Sequence, residues 1–80
     1  MLIFSKNFVL LYSMKKILHK ALVSKYKAQR DEALATLEVY YNNPVGIGEH
    51  PQVVEEMSKQ VEKLSGAEGC LDRLNKLKPE

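Results

Sequence analysis

The feature that most restricts this chain is the short span NNPVGIGEHPQVVEE, residues 42–56, which crowds Pro44, Gly46, Gly48 and Pro51 between two long stretches almost free of such residues. Outside it the chain holds one more proline, Pro79, and two more glycines, Gly66 and Gly69. Pro44 has no amide hydrogen and restricts the residue before it, so a helix arriving from upstream must stop at about Asn42. Asparagine there tolerates the left-handed backbone that helix ends often adopt. Pro51 suits the first position of a new helix, with His50 before it and Glu55 and Glu56 near the positive end of the helix dipole. Gly46 and Gly48 free the backbone to reverse, and Val45 and Ile47 are placed to plug the open end of a core. The span predicts a helix-to-helix connector.

Both flanking stretches carry helical periodicity. From Lys16 to Tyr41 there is no glycine or proline, and good helix formers dominate. Val23, Tyr26, Arg30, Ala33, Leu37 and Tyr40 alternate spacings of three and four, which is a heptad seam with Arg30 as its polar member, flanked by Leu22, Leu34 and Tyr41. In the second stretch Val54, Met57, Val61 and Leu64 begin a seam that Ala67, Leu71, Leu74 and Leu77 continue with a drift around the helix. Glu55 with Lys59, and Asp72 with Lys76, are acid-first pairs four residues apart that support the helix locally. The expected fold is all-α: an antiparallel two-helix hairpin, coiled-coil-like, with a helix over about 15–42, a loop over 43–50 and a helix over 51–77. Facing residues in such a hairpin have numbers summing to about 93, which pairs Tyr40 with Val53, Leu37 with Met57, Ala33 with Val61, Tyr26 with Ala67, Val23 with Leu71 and His19 with Leu74. Gly66 and Ala67 opposite Tyr26 would make room for its ring, so a continuous or slightly kinked second helix is preferred to a break there.

A chain of 80 residues builds one small domain at most, near the size where a single core contributes only about 3–5 kcal/mol unaided. One shared seam leaves Leu22, Leu34 and Tyr41 open to water, so pairing of hairpins into a homodimeric helical bundle is expected. A host or viral protein is the other partner considered.

Charge is divided unevenly. Residues 1–30 carry Lys6, Lys15, Lys16, Lys20, Lys25, Lys27 and Arg30 with no acid, whereas residues 31–80 carry ten acids against five bases. Two readings follow: a basic arm (Lys15, Lys16, Lys20, Lys25, Lys27, Arg30) for nucleic acid or anionic membrane, or two halves that neutralise each other within the hairpin. The second is preferred, with Lys16, Lys20, Lys25 and Lys27 alongside Glu62, Glu68 and Asp72. No nucleic-acid reading motif or aromatic stacking platform accompanies the bases.

Residues 1–13 form a separate extension that would overhang the hairpin, whether flexible, helical or outside the native product. MKKILHKAL from Met14 reads as an ordinary translation start, which makes a native chain beginning at Met14 one of these three readings. The segment lacks the features of a secretory signal, and lysines interrupt any window long enough to cross a membrane. Residues 4–22 also fit a basic amphipathic helix, with Phe4, Phe8, Leu11, Leu18 and Leu22 on one stripe and Lys6, Lys16 and Lys20 elsewhere; a core helix is the commoner use of such a pattern.

No catalytic constellation is legible. Gly46 and Gly48 lack the third glycine, the Lys-Ser or Lys-Thr pair and the preceding strand of phosphate-binding loops. His50 beside Glu49 has no nucleophile or oxyanion donor at recognisable spacing. Cys70, His19 and His50 fall short of a metal set, so no metal or cofactor is expected, and the lone cysteine fits a reducing cytoplasm.

The run LATLEVYYNNPVGIGEHPQVVEEMSKQVEKL resembles small uncharacterised helical proteins of marine tailed phages, including those of cyanobacteria, over about residues 28–77, with NNPVGIGEHP its most distinctive part. The resemblance implies a small virus-encoded helical protein, with no catalytic residues to carry over.

Overall fold

A computed structural model describes residues 2–43 and 52–79, with the side chains of 10–43 and 52–79. Two helices make up the fold: α1, Leu2–Asn42, and α2, Val53–Lys76. They lie side by side as an antiparallel hairpin, and the molecule is a rod of 69 × 16 × 16 Å. The rod's length comes from α1, whose 41 residues span about 62 Å, whereas the 24 residues of α2 reach only about 36 Å. About two-fifths of α1 therefore has no helix beside it among the described residues.

The first helix ends at Asn42, where the pre-proline constraint requires, and its last turn closes with the Asn43 amide donating to the Tyr40 carbonyl at 3.4 Å. Among the described residues no non-glycine has a positive φ, so Asn42 and Asn43 do not use the left-handed exit that asparagine permits. At the other end α1 starts at Leu2, well upstream of the expected start near Lys15. Residues 2–14 contain no glycine or proline to stop the helix, so it runs on without a tertiary partner. Helix α2 is continuous through Gly66 and Gly69, opens with Glu55 and Glu56 in its first turn and closes with Arg73 and Lys76 in its last. Val45, Ile47, Glu49 and His50 lie outside the described residues.

The seam of α1 is the one its spacing predicts. Ala33 and Leu37 are buried, while His19, Val23, Tyr26, Arg30 and Tyr40 are half-buried on the same line. The seam of α2 keeps Met57, Leu64, Ala67, Leu71 and Leu74 of the expected line and differs at the others. Its inward line is Val53, Met57, Gln60, Leu64, Ala67, Leu71 and Leu74, an unbroken alternation of four and three with no drift, and Val53, Ala67 and Leu74 are its buried members. Val54 and Val61, expected in the seam, are 75% and 50% exposed, and Leu77 also faces water. The reason is rotational: seating Val54 and Val61 would turn the helix by about 100° and expel Val53 and the Ala67–Leu74 half. A continuous helix cannot satisfy both halves, so Gln60 enters the seam instead.

Register agrees with expectation within two residues. Glu32 accepts from Lys63 Nζ at 2.7 Å, a pair whose numbers sum to 95, and Val23 and Leu71 line one cleft, as the expected pairing of those two residues requires. Ala33 at 0% and Ala67 at 2% exposure are the smallest seam residues and the most deeply covered. Gly66 plays no part in that approach, because a Cβ built on it, or on Gly69, meets nothing within 4 Å. Room for the Tyr26 ring thus does not depend on the missing side chain.

Mutual neutralisation of the two halves is not how the charges pair. None of Lys16, Lys20, Lys25 and Lys27 forms an ion pair with Glu62, Glu68 or Asp72; Asp72 pairs with Lys76 at 3.2 Å along α2, and Lys59 pairs with Glu56 at 3.5 Å rather than with Glu55. Lys16 and Lys25 instead sit over the rings of Tyr12 and Tyr26, at 4.6 and 5.8 Å from the centroids. The inter-helix ion pair among the described residues, Glu32–Lys63, runs in the opposite sense, acid on α1 and base on α2.

Candidate interaction surfaces

Two flanks border the seam, and helix geometry assigns residues to them. In an antiparallel pair, residues one position after a seam residue fall on the same flank in both helices. Leu34 and Tyr41 follow Ala33 and Tyr40; Val54 and Val61 follow Val53 and Gln60. All four are exposed, so this flank carries an apolar patch contributed by both helices. Each pair is seven residues apart, which keeps the patch straight along the rod.

The opposite flank holds a groove of about 440 Å³ whose lining includes Leu22 and Tyr26 of α1 and Gly66, Gly69, Cys70 and Arg73 of α2. Its floor exists because Gly66 and Gly69 lack side chains, and Cys70 is a half-buried free thiol within it. A second cleft of about 300 Å³ gathers His19, Val23, Lys27, Arg30, Leu71, Asn75 and Lys78. Arg30 reaches out of the seam to Asp31, Nε to Oδ1 at 3.1 Å.

The residues singled out in the sequence are thus divided. Leu22 belongs to the groove, Leu34 and Tyr41 to the patch, and Val45 and Ile47 lie outside the described residues. Of the bases, Lys16, Lys20 and Lys27 share one stripe of α1 at spacings of four and seven, with Arg30 beside them. Lys25 stands apart over Tyr26, and Lys15 lies toward the other side of the helix. Sequence reasoning missed Val54 and Val61 as surface residues because it spent them on the seam. It also missed the groove, whose signal was the pair of glycines three apart on one side of α2.

Among the described residues no group of three His, Cys, Asp or Glu is placed to hold a metal ion, and no helix is long and apolar enough to cross a membrane. Comparison of the chain with family models, with curated proteins and with solved structures found no match.

Proposed function

We propose that this chain is a noncatalytic helical interaction module whose first partner is a second copy of itself, the two hairpins packing through the Leu34, Tyr41, Val54 and Val61 flank. The observation that carries the reading is that patch: four large apolar residues from both helices, in line, beside a seam with five buried members among the described residues, Ala33, Leu37, Val53, Ala67 and Leu74. A two-helix core of that size is marginal alone, and covering the patch with its symmetry mate produces a four-helix bundle. The resemblance to phage proteins extends the reading to a virus-encoded accessory protein acting in the cytoplasm of its host cell, where the assembled bundle would engage a host or viral protein.

The test is sedimentation equilibrium of the chain and of the Leu34→Glu, Val61→Glu double variant. A dimer at micromolar concentration that the double variant splits into folded monomers is the expected result. A monomeric parent chain with a cooperative melt refutes the proposal.

A further inference from the structure

We infer that the unpartnered N-terminal part of α1 is an anchor for the surface of an anionic phospholipid bilayer. Its described side chains, residues 10–22, divide cleanly around the helix. At 100° per residue Leu10, Leu11, Met14, Ile17, Leu18, Ala21 and Leu22 occupy one arc of about 140°, and every charged or hydrogen-bonding side chain of the segment lies in the remainder. The six large apolar residues of the arc are 44–66% exposed, although the helix they sit on is fully formed. Lys15 borders the arc on one side and Lys20 lies toward the other, where long stems can run along the apolar surface while the ammonium groups stay at headgroup level.

The placement of α2 leaves this arc accessible. The seam faces α2 from the side of His19 and Val23, more than a quarter turn away from the middle of the arc, and α2 ends at Lys76 before it reaches Met14. Beyond Leu22 the same face of α1 carries Lys25 and then Glu32, so the apolar arc ends within the first turns of α1 that α2 accompanies. The neighbouring end of α2 adds Arg73, Lys76 and Lys78 against Asp72, which pairs with Lys76, so this end of the rod carries a net positive charge among the described residues.

Charge decides the occupant. Residues 1–30 contain no acid, so two such segments packed together would bring Lys15, Lys16 and Lys20 of both copies close with nothing to offset them. A nucleic acid would satisfy the lysines and leave the arc in water. An anionic bilayer satisfies both, taking the arc into the acyl boundary while Lys15 and Lys20, on the two sides of the helix, reach toward its phosphates. The anchor uses a different surface from the dimer flank, and either stands without the other.

The test uses the full chain with two kinds of vesicle, phosphatidylcholine mixed with phosphatidylglycerol, and phosphatidylcholine alone. Co-sedimentation with the mixed vesicles and its absence with phosphatidylcholine alone are expected. Ile17→Asp with Leu18→Asp, both outside the seam, should cut partitioning at least about tenfold without changing the melt of the hairpin. Lys15→Gln with Lys20→Gln should cut it on the order of thirtyfold. Met14→Trp supplies a reading independent of sedimentation, with a blue shift of emission on the mixed vesicles. The inference is overturned by lack of binding at low salt, by equal binding to phosphatidylcholine, by binding indifferent to the Asp pair, by an unshifted Trp, or by a dimer in vesicle-free solution that the Asp pair abolishes. Retention on DNA or RNA in place of vesicles overturns it in favour of a nucleic-acid role.

Discussion

Replacing Gln60 with leucine should stabilise the hairpin. Gln60 occupies a seam position of α2, half-buried against the α1 line that carries the fully covered Ala33, and its Oε1 is buried with no hydrogen-bond partner. An orphaned acceptor of this kind costs about 1–3 kcal/mol, and partial exposure of the residue argues for the lower end, about 1 kcal/mol. Leucine has a similar volume and would bury additional apolar surface, contributing about another 1 kcal/mol at a half-covered site. The sum, about 2 kcal/mol, corresponds to a rise in Tm of roughly 8–16 °C for a domain of this size. Circular dichroism melts and urea titrations at one fixed protein concentration would measure it, the fixed concentration removing the contribution of association. A change within about 0.5 kcal/mol of zero would mean that Gln60 is a surface residue and that the α2 seam passes through Val61 after all. Such a result would refute the rotation assigned to α2, and with it the patch on which the dimer proposal rests.

Two further outcomes follow from the same geometry. Gly66→Ala and Gly69→Ala should each stabilise by about 0.4–1 kcal/mol in urea unfolding, because both glycines sit within α2 where an added Cβ meets nothing within 4 Å; destabilisation by either would show that the groove is closed by a close approach not present in this hairpin. A double-mutant cycle on Glu32 and Lys63 should return a coupling of about 0.2–1 kcal/mol at low salt, since the pair lies on the surface, and a coupling unchanged in about 1 M salt would contradict its solvent exposure.

How far the fold was legible depended on how many signals agreed. In α1 the spacing from Val23 to Tyr40 has one apolar interpretation, with Arg30 tolerated because its long stem reaches outward to Asp31. In α2 two apolar lines compete, one starting at Val53 and one at Val54, and hydropathy alone prefers the line through Val61 over the line through Gln60. Extending the Ala67, Leu71 and Leu74 spacing backward, four and three in turn, arrives at Leu64, Gln60, Met57 and Val53, so the correct line was present as a rule of spacing and hidden by the polarity of one member. The long-range charge pairing was illegible for a different reason: lysine side chains on one helix choose among several neighbours of similar energy, and Lys16 and Lys25 settle over tyrosines.

The sequence by itself determined that there are two helices, where the first one ends, and which line of α1 faces inward, because proline chemistry and heptad spacing act within a few residues and need no knowledge of the rest of the chain. Only the tertiary structure decided the rotation of α2, since both halves of that helix must meet one straight partner and a single rigid rotation serves them together. It also decided that Val54 and Val61 join Leu34 and Tyr41 on the surface, and that α1 continues as an uncovered helix beyond the end of α2. Those outcomes depend on the relative length and rotation of two helices, quantities that exist only once the helices lie against each other.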